Sequence, residues 1–115
     1  MLKRSNRLAK ANDFAKIYKT GKRRTTQNLS LIYLKTNQNT PRFGFVVSKK
    51  QAGRIVDRNR IKRRLRAQVS KRLPLFIGTI DAIISGKKGV LTLKKKELEQ
   101  EVENLINKAG IAKAR

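Results

Sequence analysis

The sequence predicts a single mixed α/β domain, and three observations lead to this prediction. The chain has 115 residues, a length that is typical of one domain rather than two. Three segments carry apolar residues at helical spacing, and three others have the composition of β-strands. Neither an internal repeat nor a linker divides residues 1–115, so these elements should share one core.

The first predicted element is a short helix after a basic segment, residues 1–10, which is expected to be extended or mobile. Asn12 or Asp13 can cap the start of this helix, and Gly21 can end it. Its apolar residues lie at i, i+3 and i+4 and therefore share one face. They are Phe14, Ile17 and Tyr18.

Two strands are predicted next, over residues 29–35 and 42–48, and a turn at 37–41 is expected to pair them as antiparallel neighbours. Residues 23–27 are predicted to add a further short strand. The bulky face of the strand at 42–48, expected in the core, consists of Phe43, Phe45 and Val47. The opposite face, which leaves room for something to lie against the sheet, consists of Arg42, Gly44, Val46 and Ser48.

A second helix is predicted over residues 58–73, because Asp57 resembles an N-cap residue and Pro74 ends the helix. Val56 and Ile61 have the spacing of a hydrophobic staple. The residues of this helix expected to face the core are Ile61, Leu65 and Val69. Those on the opposite side are Arg60, Arg63, Arg64, Ala67 and Lys71, flanked by Asn59 and Arg66.

The last two predicted elements are a strand over residues 80–85 and a helix. The helix begins near Thr92 or Leu93 and ends at Gly110, before a flexible tail at 110–115. Its apolar stripe consists of Leu98, Val102, Leu105, Ile106 and Ala109. Its acids are Glu97, Glu99, Glu101 and Glu103, so this helix is the side of the molecule least suited to a polyanion.

The composition indicates a nucleic-acid partner. Lys and Arg number 30 against 7 Asp and Glu, which gives a formal charge of +23; such a chain repels itself and binds polyanions. The absence of Cys excludes disulfides and thiolate metal sites, and the absence of His removes the commonest general base near neutral pH. No apolar run approaches the ~20 residues of a membrane span, and the polar beginning is unlike a signal peptide. A small cytoplasmic protein with no membrane contact is expected.

Basic residues are densest at 49–66, where nine of them accompany a single acid, Asp57. Like charges this close repel one another along a helix unless anions neutralise them. The N–H groups at the start of the helix, beside Lys49 and Lys50, are expected to bind phosphate. The alternative is a solvated basic face without a specific partner. The residues predicted to contact RNA are Lys49, Lys50, Arg54, Arg58, Asn59, Arg60, Lys62, Arg63, Arg64 and Arg66.

The aromatic residues fall into two groups. Those in apolar context, expected in the core, are Phe43, Phe45 and Phe76. Those beside basic or small polar residues, which can stack unpaired bases, are Phe14, Tyr18 and Tyr33. Alternatively, Phe14 and Tyr18 dock the first helix on the sheet, or Tyr33 lies in the core. Tyr33 shares its face with Leu31 and Lys35, and which face this is depends on strand register, which the sequence leaves open.

Residues 56–66 closely resemble the Arg-Asn-Arg-x-Lys-Arg signature helix of the bacterial ribonuclease P protein subunit, with Arg58, Asn59, Arg60, Lys62 and Arg63 at the signature positions. The similarity spans roughly residues 7–107. Its other pieces are Arg7-Leu8, Asp13-Phe14, Ile17-Tyr18 and Gly21, which resemble the opening helix, and residues 44–50, which resemble the strand and loop before the signature. The chain departs from the family at Ala67, where many members carry an acid, and in a looser loop at 52–55.

This resemblance implies more than the composition does. The family folds as an α/β sandwich of αβββαβα order, with a four-stranded sheet of antiparallel and parallel pairs and a left-handed crossover around the signature helix. Its protein joins a catalytic RNA and assists removal of the 5′ leader from precursor tRNA. The RNA, with Mg²⁺, performs the hydrolysis, so the resemblance implies no catalytic side chain and no metal bound by the protein. The cleft implied to hold the leader comprises Arg7, Phe14, Tyr18, Tyr33, Lys35, Gly44 and Ser48.

Two other functions compete with this interpretation. A small basic ribosomal protein would share the size, the charge and the lack of catalytic residues. A stand-alone nuclease would need its own carboxylate metal site, and the alternating Glu residues at 97–103 cannot converge on one metal from a helix. A ribosomal protein would have no effect on tRNA maturation, so such an effect distinguishes a ribonuclease P subunit from the first alternative.

Overall fold

The computed structural model describes residues 3–37, 39–50 and 52–112. Its helices are α1 (Ala11–Thr20), α2 (Ile55–Arg72) and α3 (Lys95–Ala109), and its strands are β1 (Lys22–Thr25), β2 (Leu29–Lys35), β3 (Arg42–Val46) and β4 (Ile80–Gly86). The order αβββαβα is therefore confirmed. Short 3₁₀ turns occur at Arg4–Asn6, Leu73–Leu75 and Val90–Thr92. Among the helices of the described part, none is long and apolar enough to cross a membrane.

The four strands form one sheet in the order β1-β2-β4-β3, so the predicted pairing of β2 with β3 is wrong. β4 lies between them, antiparallel to β2 and parallel to β3. The reason is burial: Ile80 to Ile84 are buried on both faces of β4, and a strand of this kind belongs in the interior of a sheet. The left-handed sense of the β3–α2–β4 crossover, implied by the resemblance, stays a prediction.

Each face of the sheet has its own apolar core. α2 and α3 cover one face, where the larger core contains Leu31, Phe43, Leu65, Ile84 and Leu105. α1 covers part of the other face, where Leu8, Ile17, Ile32 and Ile83 form a smaller core with Phe14, Leu34 and Val46 at its border. The predicted alternation along β3 is confirmed, because Phe43 and Val47 lie in the first core while Val46 borders the second.

The segment before α1 is more ordered than the sequence predicted. Leu8 is buried, and its N–H donates to the carbonyl of Phe43 at 2.9 Å. Asn6 is buried as well, and its Nδ2 donates to the carbonyl of Pro41 at 2.8 Å. Of the two alternatives, extended or mobile, the extended one describes Arg7 and Leu8, which lengthen the edge of the sheet beside β3; residues 1 and 2 lie outside the described residues. α1 begins at Ala11, and its N-cap is Lys10.

α2 begins earlier than predicted. Its N-cap is Arg54, which places Asp57 in the first turn rather than at the cap. Val56 is 62% exposed, so the predicted staple with Ile61 is also wrong. The core face was predicted correctly, since Ile61, Leu65 and Val69 are all buried.

In contrast to α2, α3 begins later than predicted, at Lys95, because residues 90–92 form a 3₁₀ turn. The N–H of Lys94 donates to Oε1 of Glu97 at 2.8 Å and fixes the start. Gly110, with φ +68°, ends the helix as predicted. The prediction of a flexible tail is wrong for Ile111 and Ala112. Ile111 is buried, and its carbonyl accepts a hydrogen bond from the N–H of Ile77 at 2.9 Å. Ala112 forms an antiparallel β-bridge with Phe76. Residues 113–115 lie outside the described residues.

Candidate RNA interface

The solvent-facing side of α2 carries many of the basic residues that are densest at 49–66 in the sequence. Asn59, Arg63 and Ala67 are exposed, and Lys62 and Arg64 are half-buried between them and the core face. Lys49 and Lys50 are exposed in the turn that precedes the helix. The small side chain of Ala67 would let a phosphate backbone approach this surface closely. This arrangement agrees with the one expected from a rotation of 100° per residue.

The start of α2 is less open to phosphate than the sequence predicted. Asp57 places its carboxylate there and pairs with Arg54 at 3.1 Å and Arg60 at 3.6 Å. A carboxylate in the first turn already interacts with the positive end of the helix dipole. Arg58 turns back to the preceding loop, where its Nη1 donates to the carbonyls of Ala52 at 3.1 Å and Gly53 at 2.9 Å. Arg58 therefore shapes the loop, and α2 offers its cations further along.

Arg66 connects α2 with the edge of the sheet. Its guanidinium carbon lies 5.9 Å from the centroid of the Phe45 ring, within the range of a cation–π contact. Arg66 also lines a cavity of about 120 Å³ with Arg7, Phe14 and Gly44. These residues come from both faces of the sheet, and they meet because β3 is an edge strand. The basic helix and the predicted leader cleft are therefore contiguous.

Phe14 and Gly44 are matched in shape. A methyl group added at Gly44 would lie only 2.6 Å from Cζ and 2.7 Å from Cε1 of Phe14. The ring thus lies directly on the backbone of β3. The face of β3 that carries Gly44 was expected to leave room for a ligand, but Phe14 itself fills the space over Gly44. Its half-buried ring borders the cavity and docks α1 at the same time, so the docking alternative for Phe14 is confirmed and the stacking of bases on it stays a prediction.

Beyond Phe14, the α1 face of the sheet carries a row of small side chains. Cross-strand neighbours lie on the same face, and the observed register joins Val46 to Ser85, Ser85 to Ser30, and Ser30 to Thr25. We call these four residues the small-residue row. Tyr18 lies one turn after Phe14 on the same flank of α1, and it is 46% exposed. The row runs from β3 to β1 on the α1 face of the sheet, and we refer to the surface between it and this flank of α1 as the groove.

Tyr33 does not belong to this groove. It is 6% exposed and packs in the larger core on the opposite face, where its hydroxyl donates to the carbonyl of Ala109 at 3.3 Å. The prediction that Tyr33 lines the leader cleft is therefore wrong, and the core alternative is confirmed. The register decides this, because Tyr33 alternates with Ile32 and Leu34, which lie under α1.

Lys35 also lies apart from Phe14. It lines a cleft of about 410 Å³ with Lys22 and Tyr33, and it borders the other flank of α1 beside Lys16. Lys35 therefore lies on the other side of α1 from Phe14 and Tyr18, and its contact with a leader stays a prediction. Ser48 is exposed in the turn after β3. Of the residues predicted for the cleft, the structure thus brings together Arg7, Phe14 and Gly44, with Tyr18 on the adjoining flank of α1.

A partly buried group of ion pairs that sequence reasoning missed holds α1 against the sheet. Arg42 donates to Asp81 from Nε at 2.9 Å and from Nη2 at 2.6 Å. Its Nη1 also reaches Asp13 of α1 at 3.4 Å. The hydrogen bonds to Asp81 raise the pKa of Arg42 above its ordinary value. Arg42 and Asp81 are cross-strand neighbours, so this ion pair could have been predicted only if the order of the strands had been known.

Three carboxylates of α3, those of Glu97, Glu99 and Glu101, have structural partners. Oε2 of Glu101 accepts hydrogen bonds from Oγ1 of Thr26 and from the N–H of Asn28, each at 2.7 Å. Glu99 lies 3.6 Å from Lys71 of α2. Within residues 3–37, 39–50 and 52–112, no three His, Cys, Asp or Glu side chains form a group that could hold a metal ion. α3 therefore supports the fold on the side away from α1.

Comparisons with known proteins agree on one family. The family model described as Ribonuclease P matches residues 2–110. The ribonuclease P protein component of Finegoldia magna is 36% identical over 107 residues, covering 93% of each chain. That of a Pseudanabaena species is 35% identical over 112 residues, covering 96% of this chain and 97% of the other.

Solved structures agree on the fold. The RNase P protein of Staphylococcus aureus superposes with a TM-score of 0.87 at 24% identity, covering 93% of this chain and 97% of that chain. The RNase P protein of Thermotoga maritima gives a TM-score of 0.80 at 23% identity, covering 89% of this chain and 96% of that chain. The αβββαβα fold is therefore shared with proteins of this kind.

Proposed function

Because this chain belongs to the ribonuclease P protein family, we propose that it binds a catalytic RNA and the 5′ leader of precursor tRNA, and so assists removal of the leader. It acts in the cytoplasm as the protein subunit of a ribonucleoprotein. The surface of α2 contacts the folded catalytic RNA. The groove between α1 and the small-residue row holds the single-stranded leader.

The observation that carries this proposal is the meeting of two kinds of side chain at the edge of β3. Arg66 and Arg7 supply positive charge, and Phe14 supplies an aromatic ring, around one cavity. Basic side chains bind the phosphate backbone, whereas aromatic rings stack on unpaired bases. A protein that must hold a folded RNA and a single strand next to each other needs this combination.

The chemistry is assigned to the RNA partner and its Mg²⁺. The sequence holds no His or Cys, and several of its few carboxylates have structural partners: Asp57 pairs with arginines, Asp81 with Arg42, and Glu101 with Thr26. The protein's own residues bind, neutralise phosphate and orient the strand. Lower repulsion between two RNAs should reduce the Mg²⁺ concentration that the reaction needs.

The test adds the purified protein to a catalytic ribonuclease P RNA at low Mg²⁺ and measures cleavage of precursor tRNA. We expect a higher rate or a tighter affinity for substrate, and the same cleavage site at the 5′ end of the mature tRNA. The protein alone, at the same concentration, is the control for nuclease activity of its own. If the protein changes neither rate nor affinity, the proposal is wrong and a ribosomal role is favoured.

A further inference from the structure

A second basic surface lies along β1, at the edge of the sheet opposite β3. The residues Lys22, Arg23 and Arg24 follow one another along β1, and all are exposed. We call them the basic edge. Within the described residues, none of the three forms an ion pair with an acid. Glu101 of α3, whose carboxylate lies next to the end of β1, accepts hydrogen bonds from Thr26 and Asn28.

The register places these cations around the edge rather than on one face. Lys22 and Arg24 pair with Tyr33 and Leu31 and so share the α3 face, whereas Arg23 pairs with Ile32 and shares the α1 face. Lys22 and Arg24 are two residues apart, which is about 7 Å along a strand. Lys108 of α3 adds a further cation, because its Nζ donates to the carbonyl of Thr25 at 3.0 Å.

The basic edge is continuous with the groove assigned to the leader. The small-residue row ends at Thr25 of β1, and Arg23 lies beside that end on the same face. β1 and β3 are separated by three strand intervals in the order β1-β2-β4-β3, which is about 14 Å at the usual spacing. A strand that enters the groove at Phe14 and crosses the sheet would leave it at Arg23.

We propose that the basic edge is the exit of the leader groove and binds the phosphates of leader nucleotides distant from the cleavage site. This inference rests on the proposed function. It makes the length of the leader a determinant of affinity, because a short leader ends within the groove and a longer one reaches β1. The contact is to backbone phosphates, so it should not depend on the leader's sequence.

The test is a variant in which the basic edge loses its charge, Lys22→Gln, Arg23→Gln and Arg24→Gln together. A matched control changes Lys94, Lys95 and Lys96, three consecutive exposed lysines at the start of α3, to Gln and removes the same charge. Each assembled holoenzyme is titrated with precursor tRNAs that carry leaders of increasing length, and with mature tRNA. Melting temperatures of all proteins are recorded, and the single variant Arg23→Gln replaces the triple variant if the latter unfolds.

We expect the basic-edge variant to match the control for mature tRNA and for the shortest leaders. For long leaders it should bind roughly 10- to 100-fold more weakly, and the slope of log affinity against log salt should fall by about two units, as for the loss of two to three phosphate contacts. Arg23→Gln should give a smaller loss with the same dependence on length.

Two results would overturn the inference. An equal loss for mature tRNA and every leader would mean that the edge contacts folded RNA instead. Behaviour identical to the control would mean that the basic edge only prevents edge-to-edge pairing of strands. Failure of the proposed function gives a different result, because the wild-type holoenzyme would then show no benefit from a leader of any length.

Discussion

Replacing Gly44 with alanine should displace Phe14 from the sheet. The new methyl carbon would lie 2.6 Å from Cζ of Phe14, whereas carbon atoms in contact are about 3.5–4.0 Å apart. The ring must therefore retreat by about 1 Å. Overpacking of this kind costs roughly 1–3 kcal/mol of unfolding free energy. Gly44 has no positive φ, so alanine itself is acceptable to the backbone and the whole cost should come from the contact.

A double-mutant cycle isolates that contact. Phe14→Ala alone should cost about 2 kcal/mol, since the ring is half-buried and a fully buried one costs about 3–5 kcal/mol. Once the ring is absent, Gly44→Ala should be neutral or slightly stabilising, because alanine suits a strand better than glycine. The coupling between the two changes should then be about 1–3 kcal/mol.

The assay is urea unfolding at one fixed sulfate concentration, with Gly53→Ala as the control. Around Gly53 the nearest atom to an added methyl group is the carbonyl oxygen of Lys49 at 4.0 Å, so this variant should lose no stability. If Gly44→Ala costs the same with and without the Phe14 ring, the two residues are not packed as described. The stacking role of Phe14 would then lose its structural basis.

Four further outcomes are expected. Tyr18→Ala should leave the melting temperature nearly unchanged and weaken binding of leader-bearing precursor by roughly 1–3 kcal/mol, while equal loss for mature tRNA would contradict this. Tyr33→Ala should instead cost roughly 3–5 kcal/mol of stability with no preference between the two tRNAs, and Tyr33→Phe should restore most of it. Arg63→Ala should lower the salt slope for the catalytic RNA by about 0.7–0.9 unit, unlike Lys95→Ala on α3. Because anions should bind the native state of a chain with charge +23 and so stabilise it, millimolar sulfate should raise its melting temperature in circular dichroism; an unchanged value would count against this.

Much of the fold could be predicted because its elements carry their own periodicity. The core face of α2 follows from Ile61, Leu65 and Val69, and the end of α3 from Gly110, since these are local patterns. The pairing of strands is not local. Neighbours in sequence usually pair, which favoured β2 with β3, and only the burial of β4 on both faces decides otherwise.

The candidate site divides in the same way. The cations of α2 could be predicted because they lie on one helix, where residue spacing fixes direction. Tyr33 could not be placed, because one step of register moves a side chain to the other face of a sheet. The ion pair of Arg42 with Asp81 joins two strands whose adjacency was not foreseen, so it was missed altogether.

The strand order also explains how the two surfaces that we propose to bind RNA come to adjoin. Because β4 lies between β2 and β3, β3 is left at the edge of the sheet. Around an edge, a side chain from one face can reach a side chain from the other, as Phe14 and Arg66 do at their shared cavity. Had β3 paired with β2 and β4 on its two sides, a strand would separate the basic helix from the groove. The parallel crossover through α2 therefore brings the basic helix and the Phe14 ring to one edge of the sheet, as the proposed binding of a folded RNA beside a single strand requires.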